Sequence, residues 1–156
     1  MQVKIILGSK SDKKVGEKAV KVLKELDIDY QITVSSAHRA PERTKKLCTG
    51  AEVFITIAGL SAALPGVVAS HTTKPVIGVP VSGKVNMDSI LSILQMPPGI
   101  PVAAVGLDRG DNAALLAAEI LAINDPEIRE RLVKYRSQWG DKVVKDAGEI
   151  EKELGM

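Results

Sequence analysis

A chain of 156 residues is long enough for one domain with a substantial core. Its 45% hydrophobic and 26% charged residues, with a net charge of only +2, exclude the one-sided basicity of a nucleic-acid footprint. A single cysteine, Cys48, excludes an internal disulfide and fits a reducing compartment, and 3% aromatic residues argue against a site built on base stacking or, less strictly, on a flavin.

The opening MQVKIILGS is too short an apolar run for a signal peptide, and no later stretch approaches the roughly 18 apolar residues of a membrane span. A cytoplasmic protein without a membrane partner is expected. Val3–Leu7 reads as a first strand and is followed by GSKSD, Gly8 to Asp12. Gly8 permits a tight turn, while Ser9 and Ser11 offer hydroxyls beside a helix start, which favours an anion. Asp12 is placed either to cap that helix or to accept hydrogen bonds from ribose hydroxyls. The helix covers about residues 12–26, where Val15, Ala19, Val22, Leu23 and Leu26 follow helical spacing.

Tyr30–Val34 is the second strand, leading into SSAHRAPE, Ser35 to Glu42. Pro41 suits the first turn of a helix. His38 can transfer a proton near neutral pH, and Arg39 can grip a phosphate through two parallel donors. The chain has only two histidines, and this loop should lie beside the first one. The pair therefore reads as functional rather than as solvated loop residues. Val53–Ile57 is the third strand, followed by AGLSAALPG, Ala58 to Gly66, built almost entirely of small residues. Such a loop can approach a flat ligand or a carboxylate closely, or simply pack a helix start tightly on the sheet. The other histidine, His71, falls late in the next helix, Leu64–Thr72, and should face solvent.

Val76–Val79 is the fourth strand, followed by Ser82, Gly83 and Lys84 and by a helix over Asn86–Gln95. The segment QMPPGIPV is a rigid connection suited to walling a pocket or a subunit contact. Val102–Val105 is the fifth strand, and Asn112 stands as the cap of a helix over Asn112–Ile123. Five β-α repeats with strands apolar on both faces predict an α/β fold: a flavodoxin-like, three-layer αβα sandwich with a five-stranded parallel sheet. Residues 1–156 read as a single domain, of which 125–156 form a helical tail. Asp125 or Asn124 caps that helix, Pro126 opens it, and Ile128, Leu132, Tyr135, Trp139 and Val143 form an apolar stripe. The stripe needs something to pack on, and with the five-strand unit complete a neighbouring subunit is expected. Cys48 reads as structural. No metal-ligand spacing, Walker motif or GxGxxG is present.

Taken in order from about Val3 to Ile123, GSKSD, SAHRAPE, AGLSAALPGVVAS, PVIGVPV, SILQMPPGIPVA and NAALLAAEIL resemble the N5-carboxyaminoimidazole ribonucleotide mutase family. The resemblance implies a cytoplasmic homo-octamer acting on a ribonucleotide of purine synthesis, with active sites at subunit contacts and with no metal or organic cofactor. It implies phosphate binding by Ser11, Ser36 and Arg39, with Ser9 beside them, and ribose binding by Asp12. It makes His38 the general acid and base at the imidazole ring. Ala58, Gly59 and the backbone near Leu64 would face the carboxylate and released carbon dioxide.

One position departs from the pattern. Many bacterial mutases read A-A-H-L-P-G in the third loop, and Ala63 stands where that histidine would be. A direct carboxylase is therefore the alternative, although its branch usually carries a third loop of A-G-R-S-N-G type, unlike Leu60, Ser61 and the LPG here. A non-catalytic nucleotide-binding module on the same fold is a further alternative. The His38–Arg39 pair and the shortage of aromatics argue against it.

Overall fold

The computed structural model describes residues 1–155. Its elements alternate as the repeats predict: β1 (Val3–Leu7), α1 (Lys13–Glu25), β2 (Tyr30–Val34), α2 (Pro41–Leu47), β3 (Val53–Ala58), α3 (Leu64–Ser70), β4 (Val76–Pro80), α4 (Asn86–Leu94), β5 (Ala103–Ala104), α5 (Gly110–Leu121) and α6 (Pro126–Leu154). A short 3-10 turn, Lys10–Asp12, leads into α1. The sheet order is β2-β1-β3-β4-β5, with every pairing parallel. This is the flavodoxin-like arrangement expected. Because β1 lies between β2 and β3, the connections leaving it and β3 run in opposite directions, which opens a crevice at their carboxyl ends.

The period of two along each strand divides the core into two layers. Val3, Ile5 and Leu7 join Val53, Ile55 and Ile57 under α1, α5 and the start of α6. On the other face Ile6, Phe54 and Ala58 pack with α3 and Ile93 of α4. Lys4 also points to this second face. Its ammonium lies over the Phe54 ring, 5.9 Å from the centroid, and donates to the Leu47 carbonyl at 3.0 Å, closing the end of α2. α1 and α5 touch backbone to backbone: a Cβ on Gly110 would stand 2.1 Å from the Val15 carbonyl oxygen. On the opposite face Gly78 makes room for side chains instead: a Cβ there would meet Ile93 Cγ2 at 2.5 Å.

Several boundaries differ from those read off the sequence. β5 keeps only two residues, since Pro101 has no N–H and Gly106 ends the run, although Val105 N still donates to the Gly78 carbonyl at 3.2 Å. β2 is an edge strand with Gln31, Ile32 and Val34 exposed, so it is not covered on both faces. Asn112 does not cap α5, which starts two residues earlier at Gly110 and leaves Asn112 exposed in its first turn. Asp125 does cap α6, accepting from Glu127 N at 3.0 Å and Ile128 N at 3.2 Å.

The largest correction concerns the tail. Ile128 is fully buried, Leu132 nearly so, and both join the α1–α5 core with Tyr135 alongside. The first turns of α6 therefore pack on their own subunit. Further along, Trp139, Val143 and Val144 are exposed. Among the described residues no helix is long and apolar enough to cross a membrane.

Candidate active site

Three loops at the carboxyl ends of β1, β2 and β3 meet at the crevice. The first is shaped by its own side chains. Ser9 caps the 3-10 turn, its hydroxyl accepting from Ser11 N at 3.3 Å, while the Asp12 carboxylate turns back to accept from Ser9 N at 2.8 Å. This is a capping box on the short turn, so Asp12 makes no side-chain cap on α1. Ser11 Oγ lies 3.1 Å from Ser9 Oγ and 3.2 Å from Asp12 Oδ1, and its one proton serves either. Asp12 is 5% exposed. Burial pushes its carboxyl up from the ordinary value, against the lowering effect of the hydrogen bonds from Ser11 and the Ser9 backbone. Gly8 N donates to the Ile57 carbonyl at 2.8 Å, joining the first loop to the third.

The second loop is tied at both ends. Ser35 N donates to the Leu7 carbonyl at 2.9 Å, and the buried Ser35 and Thr44 hydroxyls meet at 2.9 Å. Arg43 donates to the Val34 carbonyl and to Thr33 Oγ1, fixing the end of β2 against α2. Between these ties Ser36 Oγ accepts from both the backbone N and the Nε of Arg39, each at 3.3 Å. That contact aims the guanidinium and leaves its terminal nitrogens for an anion. His38 stands exposed next to it.

The third loop turns sharply over Gly59–Ala62, where Ala62 N donates to the Gly59 carbonyl at 2.8 Å. Ser61 sits in the left-handed region at φ 60. Its N–H is taken by the Asp88 carboxylate, from the first turn of α4.

These loops enclose a cavity of about 320 Å³. The nine residues placed at the substrate by the resemblance all line it: Ser9, Ser11, Asp12, Ser36, His38, Arg39, Ala58, Gly59 and Leu64. Gly8, Ala37, Leu60, Ala62 and Ala63 complete the wall. In the sequence Gly8 reads as a tight turn and the 58–66 loop as a small-residue approach, and Ala37 is legible only as a small residue between Ser36 and His38. Ser82, Lys84, His71 and Asn112 lie outside. A larger cavity, about 1010 Å³, is bordered by Cys48, His71, Lys74 and Pro101 at the amino end of the sheet. The smaller one is the better candidate, because ligands of open parallel sheets bind at the carboxyl end and because it gathers the proton-transfer and anion-binding groups. Among the described residues no three His, Cys, Asp or Glu side chains gather as metal ligands would.

Comparison with known proteins adds a family. Residues 2–142 match the AIR carboxylase family. A Methanocaldococcus jannaschii protein named N5-carboxyaminoimidazole ribonucleotide mutase is 56% identical over 142 residues, covering 89% of this chain and 90% of its own. The protein of the same name from Pyrococcus abyssi is 54% identical, covering 86% and 82%. The crystal structure of Treponema denticola PurE superimposes with a TM-score of 0.87 at 33% identity, covering 96% of this chain and 98% of that one.

Proposed function

The chain belongs to the AIR carboxylase family, and from that premise we propose that it is an N5-carboxyaminoimidazole ribonucleotide mutase, an isomerase of purine biosynthesis that moves a carboxyl group from the exocyclic nitrogen to C4 of the imidazole. The observation that supports this best is the meeting of Arg39, His38 and a wall of small residues in one cavity.

Each part has a physical task in that reaction. Arg39, with Ser11 and Ser36, holds the phosphate by charge-assisted hydrogen bonds. The buried Asp12 carboxylate accepts from the ribose hydroxyls. The carbamate N–C bond breaks as the nitrogen takes up a proton, releasing carbon dioxide against Ala58, Gly59 and Leu64. The electron-rich C4 attacks that carbon, and the C4 proton must then leave to restore aromaticity. One proton enters and one departs, so a single histidine, His38, can serve both steps. Carbon dioxide is small and uncharged, so confinement, rather than any ionic grip, keeps it beside C4. The proposal extends to a cytoplasmic homo-octamer whose subunits pack through the exposed second half of α6, and to a reaction without cofactor.

Ala63 favours attention to a second reading, direct carboxylation, since it leaves no imidazole at that position of the third loop. The two are separated by supplying the N-carboxylated nucleotide in one assay and aminoimidazole ribonucleotide with bicarbonate in another. Fast conversion of the first, with little use of the second at modest bicarbonate, is expected. Efficient direct carboxylation would overturn the mutase assignment.

A further inference from the structure

The start of α4 braces the site from outside the pocket. Three side chains in its first turn each reach a backbone group of a neighbouring loop. Asn86 Oδ1 accepts from Gly83 N at 2.9 Å, and the Ser89 hydroxyl lies between two acceptors, the Asn86 carbonyl of its own turn at 3.0 Å and the Val81 carbonyl beyond β4 at 3.3 Å. The third is Asp88, whose carboxylate accepts from Ser61 N, 27 residues away in sequence. An acidic residue at this position of a helix ordinarily turns back to the backbone at its own start. Here α4 has no side-chain cap, and the carboxylate is spent on the third loop instead. The residue it holds is one that needs holding. Ser61 is not glycine, yet it sits at φ 60, a region L-residues disfavour. The turn it makes continues directly into Ala62, Ala63 and Leu64, which line the pocket.

We propose that Asp88 is a positioning residue for the reaction: by holding Ser61 in its left-handed turn it keeps the small-residue wall closed around the released carbon dioxide. The inference rests on the mutase reading above. Asp88 touches neither phosphate-binding nor proton-transfer groups, so its loss should act on the fate of the carbon rather than on nucleotide binding. When the wall is in place, the carbamate carbon leaves nitrogen as carbon dioxide and is recaptured by C4, with the C4 proton lost. When the wall is loose, the same N–C cleavage and nitrogen protonation occur, but carbon dioxide escapes and aminoimidazole ribonucleotide is released.

The test measures both products from the N-carboxylated nucleotide, corrected for breakdown without enzyme, in the native protein and in Asp88→Ala, Asp88→Asn and Asp88→Ala/Ser61→Gly. Asp88→Ala should lower kcat about tenfold with KM changed less than about twofold, and should raise the share of aminoimidazole ribonucleotide severalfold. Asp88→Asn keeps an acceptor for Ser61 N and should restore most of the native partition. Ser61→Gly removes the disfavoured conformation and should restore part of it in the Asp88→Ala background. A native partition in Asp88→Ala, or a defect confined to KM, would overturn the proposal. So would failure of both rescues. Absence of conversion by the native protein would instead overturn the mutase reading, and amide exchange at Ser61, faster in Asp88→Ala if the brace is real, would still decide the positioning role.

Discussion

His38 and Arg39 are neighbours in the chain with different tasks, and substitution should separate them. His38→Asn should cut turnover about a hundredfold or more while nucleotide affinity changes little, as kinetics and direct binding would show. Near-normal turnover would remove the histidine from the proton transfer. Arg39→Ala should weaken the ribonucleotide by about 1.5–3 kcal/mol relative to the corresponding nucleoside. Equal losses for the two would point to a disturbed loop. Asp12 carries a pH signature. Its carboxyl is raised in the folded protein, chiefly by burial, so its contribution to stability is fully present below 3.8 and is lost as pH rises through the folded value. Asp12→Asn should therefore flatten that decline, melting at or above the native temperature at neutral pH, while activity falls. Melting curves across pH would check it. These residues were legible because each lies in a short loop directly after a strand, where chemistry and position coincide. Asp88 was not: its partner lies 27 residues away, and only the order of strands brings the two together.

Elements were legible in kind and less so at their ends. The apolar runs fixed five strands and the helical spacing fixed the helices between them, but β5 shrinks because pairing at an edge depends on what its one neighbour offers. The division of α6 was invisible for the same kind of reason, since one stripe of equal spacing serves two environments. Ile128→Ala should cost about 2–5 kcal/mol of stability, as a buried truncation does, whereas Val143→Ala should change the stability of the isolated subunit by less than about 0.5 kcal/mol. Denaturant unfolding would distinguish them, and equal effects would mean that the second half of the helix is also covered. Truncation before Pro126 removes core residues and should destabilise the fold. Truncation after Gly140 spares that core, and on the octamer proposal should lower the mass seen by light scattering. Gly110→Ala should be more damaging than either point change, because its Cβ would overlap the Val15 carbonyl and force α1 from α5.

At the scale of the whole molecule, the sheet order decides where chemistry can occur. The crevice beyond β1 and β3 receives three loops at once, which is why a pocket could be expected before any side chain was placed. The two helical layers beside that crevice are not mechanically equal. On one side α1 and α5 come so close at Gly110 that a Cβ there would overlap the Val15 backbone carbonyl. On the other, α2 and α4 are linked to the pocket loops through individual side chains, the paired Ser35 and Thr44 hydroxyls and the Asp88 carboxylate on Ser61 N. Backbone contact resists displacement from the first ångström, whereas a side-chain link can rotate before it breaks. The α1–α5 layer thus serves as an anvil, and any adjustment of the pocket to a substrate, an inhibitor or a substitution during evolution should be taken up by the α2–α3–α4 layer.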